Sequence, residues 1–523
     1  MSNEYPKINY RRKIREKKIH FHPPLHPLPS REGKIIYTAP PGRRIASVLV
    51  FFFILSLSPI SSLLSPAFAG FMDQFAEKDD IGPLKVPNRG KSRILVIPVD
   101  FNLPGLEPQN IEHLKRFFGP GREDVPTFAR YFRDNSRGLL EIEARVMDPI
   151  TVSSCPFPGL GLLSCRVSSP TDLALFSWLP IVNKVLRDFK SRGLVFSDFD
   201  LNGPAGLPDG WIDGLIFTQN GVAPEVNFPL SLLAPEIING PIGINAVTIV
   251  DNSLPPDGDY TRNDAAILHG FGHLLGFADL TDPDRSSSGL LYSLMGAYCS
   301  DDNICDIPLL DAYSRVAIGW AEEYLIRGAE EVKIPPAPEA RSVFRLGDTS
   351  PYFLVENRGR LPLWDRRIES RGLAVYRVDP AHLPPGGKFD FFPEWISGGA
   401  NRDESHPLVM NIPADGNYDF LTRQSWLDPG NLFRNGDILG PTQLFLFPEL
   451  ITPLGTTEIA ISDIDSESYA PWVRARLRNG FTVEPSPRAE GCQTFPIGAD
   501  QPAILLIVLL GLIKLGRRSA KRQ

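Results

Sequence analysis

The chain has 523 residues, of which 42% are apolar and 22% are charged. This is ordinary globular composition for two or three domains, and it excludes a disordered, collagen-like or wholly membrane-embedded protein. The 44 glycines and 51 prolines favour many turns and short strands over a helical bundle. The net charge of −7 is uneven, because residues 1–45 carry +8 and residues 514–523 carry +5, which leaves −20 between them. We therefore expect no nucleic-acid partner.

The amino-terminal region has the order of features found in export signals. Residues 1–42 form a basic leader without periodicity, to which we assign no function. The apolar run Ile45–Leu57 follows two arginines and precedes the small residues of Ala67-Phe68-Ala69. This order predicts a signal peptide over residues 43–69, cleaved after Ala69. A retained transmembrane anchor is the alternative.

The carboxyl-terminal region also combines an apolar run with basic residues. A linker over residues 481–500 leads to a tail over residues 501–523, which contains the apolar run Ala503–Ile513 and a basic end. Together with Gly491-Cys492, this order resembles the sorting tails of bacterial surface proteins. A simple membrane anchor is the alternative. We expect an exported protein, extracellular or at the cell surface, attached to the membrane through this tail.

Four of the five cysteines lie before the linker and form two pairs that are close in sequence. Cys155 and Cys165 are ten residues apart, and Cys299 and Cys305 are six apart. In an exported protein this spacing predicts two local disulfides. A metal-thiolate site is the alternative, although neither pair has the C-x-x-C spacing of zinc knuckles.

The periodicity of apolar residues divides the exported body into two regions. Over residues 90–325 strand and helix patterns alternate, which predicts a mixed α/β domain. Over residues 330–480 short strands are separated by turns, which predicts a β-sandwich. The expected fold class is therefore α+β. The predicted strands are Arg93–Phe101, Leu140–Val146, Trp211–Phe217, Val247–Val250, Tyr352–Asn357, Gly372–Asp379, Leu444–Phe447, Glu458–Ile464 and Val473–Arg478, and the predicted helices are Ile111–Phe118, Thr127–Phe132 and Leu173–Leu186.

Two histidines lie four residues apart in the segment TRNDAAILHGFGHLLGFADL. This spacing predicts that His269 and His273 project from one face of a helix over Ala265–Leu275, as two ligands of a tetrahedral zinc require. Thr261 is the expected N-cap, with Asp264 as its reciprocal acid.

The residues after this helix supply a candidate third ligand. Gly276 is expected to end the helix, so that the chain can turn and bring Asp279 back to the histidines. Glu322 and Glu323, expected on a later helix, are alternative third ligands. Asp279 is preferred because its spacing matches the motif of a metallopeptidase family that the chain resembles.

These residues match a known pattern, H-E-x-x-H-x-x-G-x-x-D, except at one position. The chain resembles the secreted bacterial metallopeptidases of the immune inhibitor A type (peptidase family M six), over roughly residues 90–480. SLMG, which contains Met295, is similar to the Met-turn of that family, and PLLDAYSRVAIGW, YFLVENRG and GLAVYRVD are similar to its later elements. The resemblance implies a zincin-like metallopeptidase domain, a zinc cofactor and a peptide or protein as substrate or ligand.

The exception is Gly270, which occupies the position of the family's catalytic glutamate. That glutamate takes a proton from the attacking water and delivers it to the leaving amine, a role worth about 10²–10⁴-fold in rate. We therefore expect a pseudopeptidase that keeps zinc and holds a peptide in its cleft. The alternatives are a zinc endopeptidase that still hydrolyses extracellular proteins, and a structural surface module.

A second metal site is suggested by an acidic segment before the histidines. Asp200, Asn202, Asp209 and Asp213 resemble the ligand positions of a calcium loop that has been lengthened by several residues. Oxygen ligands at alternate positions, with glycine at the sharp turn, suit Ca²⁺. A solvated Asp/Gly turn is the alternative.

Overall fold

The structure is a computed structural model, and it describes most of residues 86–480. The chain divides into two units, residues 1–78 and residues 79–523, and every described residue belongs to the second. The leader, the signal peptide, the linker, the tail and Cys155 with Cys165 lie outside the described residues. The gaps within 86–480 are 103–105, 121–123, 153–171, 204–205, 221–225, 229–246, 253–258, 278, 281–289, 297–298, 300–304, 369–370, 381–400, 402–406, 419–428, 441–442, 445–458 and 469–470.

The first sheet is almost entirely parallel. Its strands are β1 (Gly90–Phe101), β2 (Leu140–Val146), β3 (Ile150–Val152), β4 (Leu215–Gln219), β5 (Val226–Phe228) and β6 (Val247–Asp251). The strand order is β2-β1-β4-β6-β5, with β3 also paired to β1, and only β5 is antiparallel to its neighbour. Strand β1 is central and is buried from Ile94 to Phe101, as the continuous apolar run predicted.

Five helices accompany the sheets in the described residues. They are α1 (Ile111–Phe118), α2 (Phe128–Ser136), α3 (Asp172–Ser191), α4 (Thr261–Leu275) and α5 (Ala312–Ala317). The side chain of Asn110 caps α1 and that of Thr127 caps α2, each accepting a backbone N–H three residues on. Phe271 of α4 packs edge to face against Phe128 and Phe132 of α2, with ring centroids 5.0 and 5.1 Å away. This aromatic contact fixes α4 against α2.

Two further sheets follow α5. The strands are β7 (Glu322–Leu325), β8 (Gly328–Ile334), β9 (Ser342–Leu346), β10 (Tyr352–Arg358), β11 (Gly372–Val378), β12 (Val409–Asn411), β13 (Ile459–Asp465) and β14 (Val473–Asn479). One sheet has the order β12-β11-β10-β9-β7 and the other has the order β13-β14-β8. All pairs are antiparallel except β7 with β9. The chain therefore combines helices with sheets, as the α+β prediction required.

Two predicted strands differ from the structure. The strand predicted over Trp211–Phe217 begins only at Leu215, because the side chain of Asp213 binds backbone N–H groups and holds the preceding residues in a loop. Leu444 of the predicted strand Leu444–Phe447 lies in a turn, and the other three residues are outside the described part. The division into domains at residues 325–330 stays a prediction.

A buried ion network joins the second sheet to the rest of the molecule. The guanidinium of Arg358, at the end of β10, donates two hydrogen bonds to Asp365, at 3.0 and 2.6 Å. It also donates to Glu356 at 3.0 Å and to the backbone carbonyl of Tyr292 at 2.7 Å. All three charged side chains are at most 1% exposed. Arg358 therefore ties the loop around Tyr292 to strand β10.

The same network reaches α5 and β11. Arg315 of α5 pairs with Glu356, and it donates to the carbonyl of Ala337 at 2.6 Å. The hydroxyl of Tyr376 on β11 donates to Glu356 at 2.7 Å. Because each carboxylate accepts several donors, the charges are paired inside the core and not left uncompensated.

We predict that Arg358→Gln strongly destabilises the protein, by about 3–5 kcal/mol, because it leaves Asp365 and Glu356 buried without their main partner. The free energy of unfolding from denaturant titration measures this. Arg341→Gln, which removes a surface pair with Glu322, is the control and should leave stability unchanged. A similar effect of the two variants would contradict a central role for Arg358.

Candidate metal centre

The candidate metal centre is built on α4, and the start of this helix differs from the prediction. Thr261 is the first helical residue and not the N-cap, and Tyr260 stands at the N-cap without a side-chain capping bond. Instead, the carboxylate of Asp259 accepts from the backbone N–H of Thr261 at 3.0 Å and from its hydroxyl at 2.6 Å. Asp264 cannot serve as the reciprocal acid, because its carboxylate is bound to a histidine of another helix.

That histidine is His113 of α1. Its Nε2 lies 2.8 Å from Asp264 Oδ1, and Arg116 Nη2 lies 3.2 Å from its Nδ1. Because a guanidinium only donates, Nδ1 accepts and Nε2–H donates to Asp264. The ring of Tyr260 stacks on His113 at a centroid distance of 3.8 Å. Burial raises the pKa of Asp264 above its ordinary value, against the lowering effect of His113.

One feature of the sequence could have indicated the contact between His113 and Asp264. His113 lies on the face of α1 that also carries the buried Leu114, Phe117 and Phe118. A histidine on such an apolar face needs a polar partner once it is buried, but its own helix does not show which residue that partner is. The contact clamps the first turns of α4 to α1.

The end of α4 agrees with the prediction. Gly276 closes the helix in the left-handed region, with φ 94°, and its N–H bonds to the carbonyls of Gly272 and His273. This conformation favours glycine because a side chain there would be strained. The chain then turns back, so that the half-buried Asp279 lies near the histidines.

The two histidines face each other through one nitrogen each. His269 Nδ1 lies 2.8 Å from the carbonyl oxygen of Leu294, and His273 Nδ1 lies 3.1 Å from that of Phe277. A carbonyl oxygen only accepts, so in both rings Nδ1 carries the hydrogen and Nε2 of the neutral ring presents a lone pair. The two Nε2 atoms are 3.1 Å apart. Two acceptors this close repel unless a cation or an added proton lies between them.

The distances suit a tetrahedral metal ion. Zinc–nitrogen bonds of about 2.0–2.1 Å at a tetrahedral angle place two ligand nitrogens about 3.3–3.4 Å apart. The ligand atoms of His269, His273 and Asp279 all lie within 4.8 Å of one another. Within the described part of the chain, this is the one group of three histidine, cysteine or acidic side chains close enough to hold a metal. The residues fit a zinc ion with a fourth position left for water or a ligand.

The floor below the histidines is the loop over residues 290–296. Met295 is completely buried, and a Cβ added to Gly272 of α4 would lie 2.8 Å from its sulfur. The residue before it, Leu294, supplies the carbonyl that orients His269. Glycine at position 272 is therefore needed for the close approach of helix and loop.

Polar contacts hold this loop from below. The hydroxyl of Ser293 donates to Asp311 at 2.5 Å and accepts from the N–H of Met295 at 3.1 Å. Asp311 is also the N-cap of α5, and burial raises its pKa. Tyr292 of the same loop is bound by Arg358. The orientation of His269 therefore depends on α5 and β10.

Gly270 lies between the two histidines, buried within α4, and has no side chain to exchange a proton. The alternative ligands Glu322 and Glu323 lie on a strand, β7, and not on a helix as expected. They pair with Arg341 and Arg345 at 2.8 Å each and are not part of the group formed by His269, His273 and Asp279.

The acidic residues predicted to bind calcium contact backbone groups. Asp213 accepts from the N–H groups of Arg93 at 2.7 Å and Asn202 at 3.1 Å. Asp200 accepts from Asp209 and Gly210, both at 3.0 Å. The amide of Asn202 donates to the carbonyl of Arg89. These bonds fasten the loop to the start of β1, and the calcium site stays a prediction.

One of the two predicted cysteine pairs is joined in the structure. Cys299 and Cys305 form a disulfide with an S–S distance of 2.05 Å. Cys155 and Cys165 are outside the described residues. Across the part of the chain that the structure describes, no helix is both long and apolar enough to span a bilayer.

Comparison with known proteins adds no assignment: no protein-family model and no curated protein matches this chain.

We predict that Asp213 titrates far above an ordinary aspartate. Burial raises its pKa to about 6. This effect outweighs the lowering of the pKa by hydrogen bonds from the backbone N–H groups of Arg93, Asn202 and Leu201. The unfolded residue titrates near 3.9, so the folded state binds the proton more tightly between these values. This contribution to stability is full below about pH 4 and is lost as the pH rises through about 6.

Carboxyl-carbon NMR of ¹³C-aspartate-labelled protein, with Asp213→Asn to assign the signal, gives the midpoint. Asp465 is the internal control, because the N–H of Ser468 holds its pKa below the ordinary value. A midpoint near 4 for Asp213 would contradict the prediction.

Proposed function

We propose that this chain is an exported zinc-binding protein on a metallopeptidase scaffold of the immune inhibitor A type, catalytically impaired, which holds a peptide or protein in its cleft. One observation carries the proposal: two histidine Nε2 atoms 3.1 Å apart, each with its Nδ1 hydrogen-bonded to a carbonyl, beside Asp279. This is an arrangement that favours a divalent cation over an empty site.

The arrangement of the first sheet supports a zincin-type scaffold for this site. A mostly parallel sheet with one antiparallel edge strand, β5, packs against α4, which carries the histidines. The loop that contains Met295 lies beneath them. The two later sheets make the second part of the chain rich in β-strands. We propose that this part is a β-sandwich.

The residues of the site have separate roles in this proposal. His269, His273 and Asp279 would hold the zinc, which when bound polarises a substrate carbonyl and acidifies a water molecule. The carbonyls of Leu294 and Phe277 fix which nitrogen of each histidine is available. At position 270 the chain offers no group that can take a proton from that water or return it to a leaving amine. Binding is therefore retained while proton transfer is lost.

The disulfide Cys299–Cys305 supports the proposal of export, because such bonds persist in oxidising compartments. The signal peptide over residues 43–69 and the tail over residues 501–523 complete this proposal from the sequence.

We predict that the purified protein contains one zinc ion, and that His273→Ala abolishes it because two ligands no longer form a stable site. Asp279→Asn should weaken zinc binding by at least about tenfold. Elemental analysis after dialysis and competition with a chelator measure both effects.

The matched control is Glu322→Gln with Glu323→Gln, which removes the alternative third ligands. This variant should keep its zinc. Unchanged metal content in His273→Ala would overturn the zinc site. If the control loses its zinc while Asp279→Asn keeps it, only the assignment of Asp279 as the third ligand is wrong.

We predict that the natural chain cleaves casein undetectably, or at least about 10²-fold more slowly than Gly270→Glu. The substitution supplies the missing carboxylate, and glutamate is a better helix former than glycine. Chelator-sensitive release of peptides measures the activity, and circular dichroism checks that the fold is kept.

Gly270→Gln is the matched control, since it has the same size without a base, and it should remain inactive. If the natural chain digests casein at an ordinary rate, the pseudopeptidase proposal is wrong and the chain is an active endopeptidase. If Gly270→Glu binds zinc and stays inert, the chain is a binding or structural module on a peptidase scaffold.

A further inference from the structure

An open groove of about 590 Å³ lies away from the histidines, between α2 and two loops of the second part of the chain. Its size is within the usual range for ligand sites. Arginines from α2 and its end line one wall, and prolines and leucines from the two loops line the other. The charged residues of the lining are Arg130, Arg133, Asp134, Arg137 and Glu339.

One acid of the groove, Asp134, already has hydrogen-bond partners within the protein. A single oxygen of Asp134, Oδ2, accepts from Arg130 Nε at 2.7 Å and from the indole N–H of Trp364 at 2.9 Å. Trp364 is 2% exposed and packs edge to face on Tyr131, so its position is fixed. Arg130 and Asp134 therefore neutralise each other within the groove.

Two further arginines remain beside this pair. Arg133 lies in the last turn of α2, Arg137 is the C-cap of that helix, and both are exposed. Among the described residues, no carboxylate lies within ion-pair distance of either. Partial burial lowers the pKa of Arg137, as do Arg341 and Arg315, while Glu322 raises it. The remaining acid of the groove is Glu339, so three arginines face two carboxylates.

We propose that this groove binds an acidic segment of a polypeptide, with its carboxylates on Arg133 and Arg137 and its chain against the prolines and leucines. Arginine matches a carboxylate through two parallel hydrogen bonds. The arginines stand out because residues 46–513 carry a net charge of −20, so an anion approaching elsewhere on this part of the chain is repelled on average.

The apolar wall favours a polypeptide over a small anion. Pro336, Pro338 and Pro362 have no N–H to donate, and Leu361 and Leu363 are half-buried. An inorganic anion would fill only a small part of the volume and would leave this wall uncovered. An extended peptide with alternating acidic and apolar side chains meets both walls at once.

Fluorescence anisotropy of a short labelled peptide of alternating glutamate and leucine, titrated with the full-length chain, tests the proposal. Arg133→Gln with Arg137→Gln should weaken binding at least about tenfold. The two lysine substitutions, which keep the charge and lose the paired hydrogen bonds, should weaken it less. Glu339→Gln should tighten binding a few-fold because it removes a like charge. Added salt should weaken binding to the natural chain.

Two controls separate this surface from the metal centre and from general anion binding. Addition of a zinc chelator to the natural chain should leave binding of this peptide unchanged. A peptide with glutamine in place of glutamate should bind at least about tenfold more weakly. Absence of binding, or equal binding by the double glutamine variant, would overturn the proposal. Complete competition by inorganic phosphate or an oligonucleotide would replace the polypeptide with a general anion.

Discussion

The structure depends most on the buried guanidinium of Arg358. It donates hydrogen bonds to Asp365, to Glu356 and to the carbonyl of Tyr292, and Glu356 also pairs with Arg315 of α5. Burying these charges costs desolvation energy, which is offset only while every partner is in place. The network therefore admits one arrangement of β10, α5 and the loop at residues 290–296, and small displacements of any of them are costly.

The metal centre inherits its geometry from this network. Two residues beyond Tyr292, the carbonyl of Leu294 sets the tautomer of His269, and Met295 fills the space below Gly272. From the other side, His113 of α1 holds Asp264 in the first turns of α4. These contacts hold the two Nε2 atoms 3.1 Å apart. The histidines are therefore already positioned for a metal, so binding one would require little rearrangement of the protein.

Gly270 separates two properties that a metallopeptidase site normally combines. In the proposed function, metal binding depends on His269, His273 and Asp279 and on the carbonyls that orient the two histidines. Proton transfer depends on a single side chain, which this chain lacks. In this proposal the cleft still holds a ligand without cleaving it, and the groove at Arg133 and Arg137 is the second proposed surface for a polypeptide.

The sequence alone determined the local features. The spacing of His269 and His273, the turn at Gly276, the buried run of β1 and the strands β10 and β11 follow from periodicity and glycine chemistry, which act over a few residues. The start of α4 could not be predicted, since Asp264 binds His113, which is 151 positions away in sequence. The same holds for Asp213 on the backbone of β1, for Arg358 on Tyr292 and for the groove beside Trp364. Each joins residues far apart in sequence, and because a polar group pairs with whichever partner burial places beside it, only the tertiary structure decided which pairs formed.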